Sequence, residues 1–169
     1  MKNYLSALAV LVLLNCSKTV TNEEYRVPDD YRAWKKPTDK ILDYIVPGHG
    51  KSARIIYAND EFYNVKINEV NGVKRYSFND GTVIIKEVYP DKDAVRTSDP
   101  MLTIMVKNSK SPDAIHGWLY YMQNPKTDIM EVNTRMCVGC HEAANDTHPY
   151  FDKNPNQEFR DFVFVINEK

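Results

Sequence analysis

Short apolar runs, separated by glycine, proline, asparagine and aspartate, dominate the pattern of hydrophobic and polar positions from Arg54 onwards. Runs of this length, rich in β-branched and aromatic residues, are typical of strands, and the residues between them favour turns. The pattern predicts strands at 54–58, 82–89, 101–106, 118–122 and 162–166. We expect these strands to form an antiparallel sheet.

A further hairpin is predicted within 63–78. Val65 and Ile67 alternate with polar residues, and Asn71-Gly72 is a dipeptide that favours a two-residue hairpin turn. The abundance of tyrosine, 11 residues in all, also favours a β-rich fold.

Two short helical segments are predicted before the first strand. One starts at Pro28 and carries Trp34 inward, and the other is a small amphipathic turn or helix in 38–46, where apolar residues recur at helical spacing. The predicted fold class is therefore mainly β (α+β), an antiparallel β-sheet with short helices.

The N-terminal residues resemble an export signal. The apolar run 4–14 is shorter than the about 20 residues that a membrane-spanning helix needs. The residues before Cys16 resemble a bacterial lipobox, although Asn15 stands where most lipoboxes carry Gly, Ala or Ser. We predict a lipoprotein signal peptide at 1–15 and a lipidated polar tether at 16–27, which anchor the protein on the periplasmic side of a bacterial membrane. The alternative is an ordinary secretory peptide that leaves Cys16 as a free thiol.

The remaining residues, 28–169, have the length of one ordinary domain. The net charge of the whole chain is −1, so there is no basic excess of the kind that binds nucleic acid or an anionic membrane surface.

The candidate chemistry lies in the motif Cys-Val-Gly-Cys-His at 137–141, near the C-terminus. Cys-x-x-Cys-His is the attachment motif of a c-type haem. The thiols of Cys137 and Cys140 would add to the porphyrin vinyl groups, and His141 would bind the iron as an axial ligand. This geometry is easiest on a short helical turn. If Cys16 carries lipid, the three cysteines of the chain are all accounted for.

Two alternative uses of this motif stay open. Cys137 and Cys140 could bind zinc together with His141 or His148, since these are the ligand types of tetrahedral zinc sites. The two cysteines could also form a thioredoxin-like redox pair, which normally lies in a βαβ unit.

Several other pieces of sequence, taken with this motif in order and spacing, resemble a known family. They are the Gly-His-Gly loop at 48–50, the strand from Arg54 to Asn59, the segments 80–87 and 105–107, Gly117-Trp118 and the segment 161–164. Together they resemble the cytochrome P-460 family, which is related to cytochrome c-prime-beta. The resemblance extends over roughly 28–166.

The resemblance implies a fold, a cofactor and two possible activities. It implies an antiparallel sheet that packs as a homodimer, and a haem c whose iron is bound by one histidine and open on its other face. In the P-460 branch a lysine is covalently joined to the porphyrin, and hydroxylamine is oxidised with an external electron acceptor. The c-prime-beta branch lacks the cross-link and binds nitric oxide. We therefore expect a hydroxylamine-oxidising haem enzyme, a non-enzymatic nitric-oxide-binding haem protein or, thirdly, an electron-transfer cytochrome.

Lys86 and Arg54 match the family's functional lysine and arginine. Lys86 should share a strand face with Ile84 and Val88, and burial would leave its amine neutral and nucleophilic, as a bond to haem requires. The alternative is a solvated pair with Glu87. Arg54 would orient a bound nitrogen oxide in the distal pocket, or else lie at a solvated strand start.

The P-460 branch also uses a proton acceptor shortly before the haem motif, because hydroxylamine oxidation releases protons. The candidates are Asp128, Glu131 and Asn133, of which we select Glu131 as the catalytic residue. If Asn133 holds that position, the base is missing.

A methionine on the open side of the iron would make the protein an electron carrier, and Met105 and Met136 are the residues to consider. We expect both to pack in the apolar core instead. His49, His116 and His148 are expected in loops, because they lie among turn-forming residues.

Overall fold

The computed structural model describes residues 25–46, 50–132, 135–147 and 154–166. The predicted signal peptide and most of the tether, including Cys16, lie outside these ranges. So do three other residues considered above, His49, Asn133 and His148, and the side chain of Met136.

Antiparallel strands make up most of the described structure. They are β1 (Ala53–Ala58), β2 (Lys66–Val70), β3 (Val73–Ser77), β4 (Val83–Tyr89), β5 (Met101–Lys107), β6 (Trp118–Gln123) and β7 (Met130–Glu131). The described residues also contain one α-helix, α1 (Arg135–Glu142), and 3-10 turns at Tyr31–Ala33, Asp60–Asn64, Asp93–Arg96 and Ala143–Asn145. The predicted mainly β, α+β fold is confirmed. No helix in the described ranges is long and apolar enough to cross a membrane.

Five strands form one sheet in the order β1-β4-β5-β6-β7, and β2 and β3 form a separate hairpin. All neighbouring strands are antiparallel. The first four predicted strands correspond to β1, β4, β5 and β6, and the predicted hairpin is β2–β3. Its turn residues Asn71 and Gly72 have φ angles of 54° and 78°, as a primed two-residue turn requires.

Strand β4 lies between β1 and β5, and its side chains alternate between two buried faces of the sheet. Lys86 lies opposite Ile56 and Thr103, so these three side chains share one face. Glu87 lies opposite Leu102 and occupies the other face. We call the face of Lys86 the helix face and the face of Glu87 the N-terminal face.

On the helix face the sheet packs against α1 and the C-terminal segment. One buried apolar cluster includes Ile56, Ile84, Met105, Trp118, Tyr120, Val138 of α1 and Val163. Apolar burial on both faces explains why β4 reads as a nearly continuous hydrophobic run in the sequence.

On the N-terminal face a buried carboxylate joins the sheet to the 3-10 turn at Tyr31–Ala33. The Glu87 side chain is 1% exposed. It accepts hydrogen bonds from the hydroxyls of Tyr31 at 2.7 Å and Tyr89 at 2.9 Å and from Arg32 Nε at 2.7 Å. Burial and the hydrogen bond to Glu87 raise the pKa of Tyr89 to about 12, so this phenol stays protonated as a donor. The alternative of a solvated Lys86–Glu87 pair is therefore wrong, because the two side chains lie on opposite faces.

Two predicted elements differ from the structure. The predicted strand at 162–166 is wrong: this segment is a turn and bend, and Asp161 and Phe162 have φ angles of 49° and 69°, outside the strand region. The helical possibility at 38–46 is also wrong. There the chain runs extended beside β1, and Leu42 and Arg54 exchange two backbone hydrogen bonds of 3.0 and 2.8 Å. The hydrogen-bonding groups at the edge of β1 thus compete successfully with a short helix. The helix predicted after Pro28 is reduced to the single 3-10 turn.

We predict that Glu87→Ala lowers the free energy of unfolding by about 3 kcal/mol, since it leaves two buried tyrosine hydroxyls without their acceptor. Chemical denaturation followed by fluorescence measures this loss. Glu69→Ala, at an exposed position of β2, is the matched control and should change the value by less than about 0.5 kcal/mol. Equal losses in the two variants would contradict the assigned role of Glu87.

Candidate functional site

A cavity of about 280 Å³ lies between the helix face of the sheet, α1 and the C-terminal segment. Its lining is mostly apolar and includes Leu42, Val46, Ile56, Ile84, Met101, Met105, Met122, Val132, Val163 and Val165. Five residues with candidate chemistry also line it: Arg54, Lys86, Cys137, Cys140 and His141. These five are residues that the sequence analysis selected for catalysis or cofactor binding. Of the selected residues that the structure describes, one, Glu131, does not line the cavity.

Helix α1 presents the motif residues to this cavity. Cys137, Cys140 and His141 stand at positions i, i+3 and i+4, which lie on one face of a helix. Val138, between them in sequence, is buried in the adjoining apolar cluster and fixes the rotation of the helix. The prediction that a short helical turn carries the motif is confirmed.

The imidazole of His141 is held by the backbone of the C-terminal segment. Its Nδ1 lies 2.9 Å from the carbonyl oxygen of Phe162. A carbonyl can only accept, so Nδ1 carries the proton and Nε2 keeps a lone pair for a ligand. Burial, and secondly the positive charge of Lys86, lower the pKa of His141 to about 4, so the ring is neutral at physiological pH. This is the form in which histidine binds a metal.

Lys86 projects from β4, which is paired on both sides, into the same cavity, as its position on this strand predicted. Burial, and secondly the positive charge of Arg54, lower its pKa to about 8. Electrostatic interactions with Cys140 and Cys137 act in the opposite direction and are smaller. A substantial fraction of Lys86 is therefore a neutral amine near pH 8.

Arg54 is buried, with 3% of its surface exposed, so the alternative of a solvated strand start is wrong. Its guanidinium binds a strap of chain at 42–46 that borders the cavity. Nε donates to the carbonyl of Leu42 at 3.4 Å, Nη2 donates to the carbonyl of Tyr44, and the guanidinium carbon lies 4.7 Å from the centre of the Tyr44 ring. Arg54 therefore fastens the strap in addition to placing a positive charge beside the cavity.

Glu131 is not brought to the cavity. It lies on β7 opposite Tyr121, on the N-terminal face, and its side chain is exposed. Asp128 is exposed as well. Among the described residues that line the cavity there is no carboxylate.

Some residues of the site were missed by the sequence reasoning. Tyr44 and Tyr120 line the cavity, and the ring centre of Tyr120 is 5.4 Å from that of His141. Met101 and Met122 line it too, whereas Met105 lines it and also packs in the buried cluster, as expected. The alternation of β5 and β6 could have identified the methionines. His116 is exposed, as predicted, and binds Glu142 at 2.8 Å.

The donor set fits a c-type haem better than a zinc ion. Two thiols and the Nε2 of a neutral imidazole border a space many times the about 30 Å³ that one water occupies. A structural zinc site requires four ligands that converge on one point. Within the described ranges no group of three or more His, Cys, Asp and Glu side chains has that arrangement.

The chain was compared with models of known protein families. A family model described as Cytochrome P460 matches residues 28–165, which is most of the chain. None of the curated proteins compared with the chain matches it.

We predict that Arg54→Met increases amide hydrogen exchange in the strap at 42–46 by about tenfold, because the strap loses two side-chain hydrogen bonds. Exchange followed by mass spectrometry of peptides from this region measures the effect. Lys92→Met is the matched control, since it breaks the half-exposed ion pair with Asp43 of the same strap. Such pairs contribute little, so a far smaller change is expected. Unchanged exchange in Arg54→Met would contradict the fastening role.

Proposed function

Because the chain belongs to the cytochrome P460 family and is a haem cytochrome, we propose that it oxidises hydroxylamine at a haem held in the cavity. The observation that supports this best is the position of Lys86, which lines the same cavity as Cys137, Cys140 and His141. In the family resemblance, a covalent bond between this lysine and the porphyrin distinguishes the hydroxylamine-oxidising branch, and the lysine alone does not.

The proposed roles of the α1 residues follow from their chemistry. Cys137 and Cys140 would hold the haem through thioether bonds, and Nε2 of His141 would bind its iron. When bound, the haem supplies an iron that can hold a small nitrogenous substrate and pass electrons to an external acceptor. The hydrogen bond to Phe162 holds the imidazole in the tautomer that this ligation requires.

Lys86 would be joined covalently to the porphyrin. A nitrogen–carbon bond would replace one N–H bond of the amine and one C–H bond of the ring, and the two electrons and two protons released would pass to an external two-electron oxidant. A bond of this kind needs a neutral, nucleophilic amine near the cofactor. Burial favours the neutral form, and the nearby charge of Arg54 favours it further. The position of Lys86 in the middle of a strand between two neighbours keeps its backbone fixed, so the amine has a restricted range of positions.

Arg54 and the apolar walls are proposed to act on the substrate. Ile56, Ile84 and Val163 exclude water from the cavity, which strengthens the electrostatic effect of a charge inside it. The guanidinium of Arg54, held in place by the strap, orients a polar ligand and stabilises negative charge on it.

A second candidate function is reversible nitric oxide binding without catalysis, as in the c-prime-beta branch. The position of Glu131 favours it, because this residue lies on the opposite face of the sheet and does not line the cavity. Nitric oxide binding needs no proton acceptor, whereas hydroxylamine oxidation releases protons.

We also propose the cellular setting expected from the sequence. Lipid on Cys16 anchors the protein to the periplasmic side of a bacterial membrane, the domain acts as a homodimer, and a separate protein or small molecule accepts the electrons.

We predict that mass spectrometry of proteolysed wild-type protein finds one haem peptide that joins the Cys137–Cys140 segment to the Lys86 segment, and that the protein turns over hydroxylamine with an artificial electron acceptor. Lys86→Arg keeps the positive charge but removes the amine, so it should lose the cross-link and most of the turnover. Lys66→Arg, at an exposed position of β2, should retain both.

The outcomes separate the candidates. A haem peptide without the Lys86 segment, with high-spin iron that binds nitric oxide and gives no turnover, favours the second function. Low-spin iron with a sixth ligand favours an electron carrier. A polypeptide that keeps no haem after acid–organic extraction contradicts all three.

For the anchor, we predict that Cys16→Ser moves the haem protein from the membrane fraction to the soluble periplasmic fraction, since the acyl chains are lost. Osmotic release and quantitative immunoblotting measure the distribution. An unchanged membrane fraction would contradict lipidation of Cys16.

A further inference from the structure

We propose that the buried ion pair of Lys107 and Asp161 positions His141 through the carbonyl of Phe162, and so sets the strength of the iron–histidine bond and the reduction potential. The inference rests on the proposed ligation of haem iron by His141. Neither Lys107 nor Asp161 touches the imidazole, so both are positioning residues.

The ion pair is well buried and has close geometry. Lys107 Nζ lies 2.9 Å from both carboxylate oxygens of Asp161, and the two side chains are 10% and 7% exposed. Removing two charges from water costs about as much as their attraction returns, so a buried ion pair is weak evidence for a stabilising role alone. The role of this ion pair is therefore better judged from the backbone conformation that it holds than from its contribution to stability.

Asp161 is fixed from three directions. Besides the two bonds from Lys107, its Oδ2 accepts the backbone N–H of Phe78 at 3.0 Å, and its carbonyl accepts the indole N–H of Trp118 at 2.9 Å. The Lys107 ammonium also lies 4.9 Å from the centre of the Trp118 ring. The residue is thus held by β5, by β6 and by the chain that follows β3.

These contacts hold an unusual backbone conformation. Asp161 and Phe162 are consecutive residues with left-handed φ angles of 49° and 69°, which residues with a Cβ adopt rarely. Such a conformation persists only when the surrounding structure determines it. It ends the extended path that the composition of 162–166 predicted and turns the Phe162 carbonyl towards α1.

The result of this turn is the hydrogen bond of 2.9 Å between the Phe162 carbonyl and His141 Nδ1. A carbonyl acceptor on Nδ1 makes the imidazole a better electron donor to a metal bound at Nε2. Stronger donation favours the oxidised iron and lowers its reduction potential. The carbonyl is thereby a determinant of the electronic properties of the site.

A second set of contacts connects the same turn to α1. The Phe162 ring stacks on the His116 ring, with centres 4.3 Å apart and planes 8° from parallel. His116 in turn binds Glu142, the residue after His141, at 2.8 Å. Of the ion pair, Lys107 contacts this set, because its Nζ donates to the His116 carbonyl at 3.4 Å. The Asp161 side chain is not part of the set, so the Asp161 variants leave α1 attached through it. An effect on the iron–histidine bond can then be separated from a general loss of the helix.

The test uses the full haem-loaded protein with Asp161→Ala, Asp161→Asn and Lys107→Met. We expect the ratio of reduced to oxidised protein at a fixed ambient potential to rise about tenfold in Asp161→Ala, which is about 59 mV for a one-electron couple. The resonance Raman band of the iron–histidine stretch should move to lower frequency. Lys107→Met should change both in the same direction. Asp161→Asn should change them less, since asparagine tolerates left-handed φ and still accepts from Phe78.

Asp60→Asn is the matched control, because it removes only the exposed pair with Lys35 at 3.4 Å. It should leave the potential and the Raman band unchanged. The proposal is overturned if Asp161→Ala and Lys107→Met lower stability to denaturant but keep both signals at their wild-type values. If Asp161→Ala yields no haem protein, the same comparison with Asp161→Asn and Lys107→Met decides. A wild-type protein without haem, or without an iron–histidine band, would instead contradict the proposed ligation.

Discussion

The alternation of side chains along β4 is the constraint on which the rest of the structure depends. Lys86 and Glu87 are adjacent in a strand that is buried on both faces, so one charged group must enter each side of the sheet. A slip of one residue would exchange them, placing a carboxylate in the cavity beside two thiols and an ammonium among the tyrosines that donate to Glu87. The surroundings on each side suit only the residue that faces them, and the register of β4 is therefore closely specified.

The two faces of the sheet differ in the surroundings of their charged side chains. On the N-terminal face, Glu87 receives hydrogen bonds from Tyr31, Arg32 and Tyr89, and the region is a satisfied and rigid support. On the helix face, Lys86 borders an apolar cavity, where burial lowers its pKa and so favours the neutral amine. Groups with shifted pKa values are characteristic of functional sites, and Lys86 is one that stands on a strand paired on both sides.

The features predicted correctly from the sequence depend on local residue patterns. The features predicted wrongly depend on contacts between residues far apart in the chain. Strands, the Asn71-Gly72 hairpin and the placement of Lys86 follow from periodicity and turn chemistry, which short stretches reveal. The segment 162–166 has strand composition, but Asp161 pairs with Lys107, 54 residues earlier in the chain, and the backbone turns away. Glu131 was chosen because it precedes the haem motif by a few residues in the sequence. The face of the sheet that it occupies is decided by the pairing of β7 with β6, which involves two residue pairs.

The walls of the cavity come from several elements that are far apart in the sequence. Its walls come from the strap at 42–46, the central strands, α1 and the segment 163–165, so residues from both ends of the domain meet there. Arg54 ties the first of these segments to the sheet, and Asp161 ties the last. Because the last segment orients the imidazole of His141, the position of this ring depends on the contacts of that segment with β5 and β6. A motif of five residues is therefore enough to indicate the chemistry, while the properties of the site depend on contacts far from that motif in sequence.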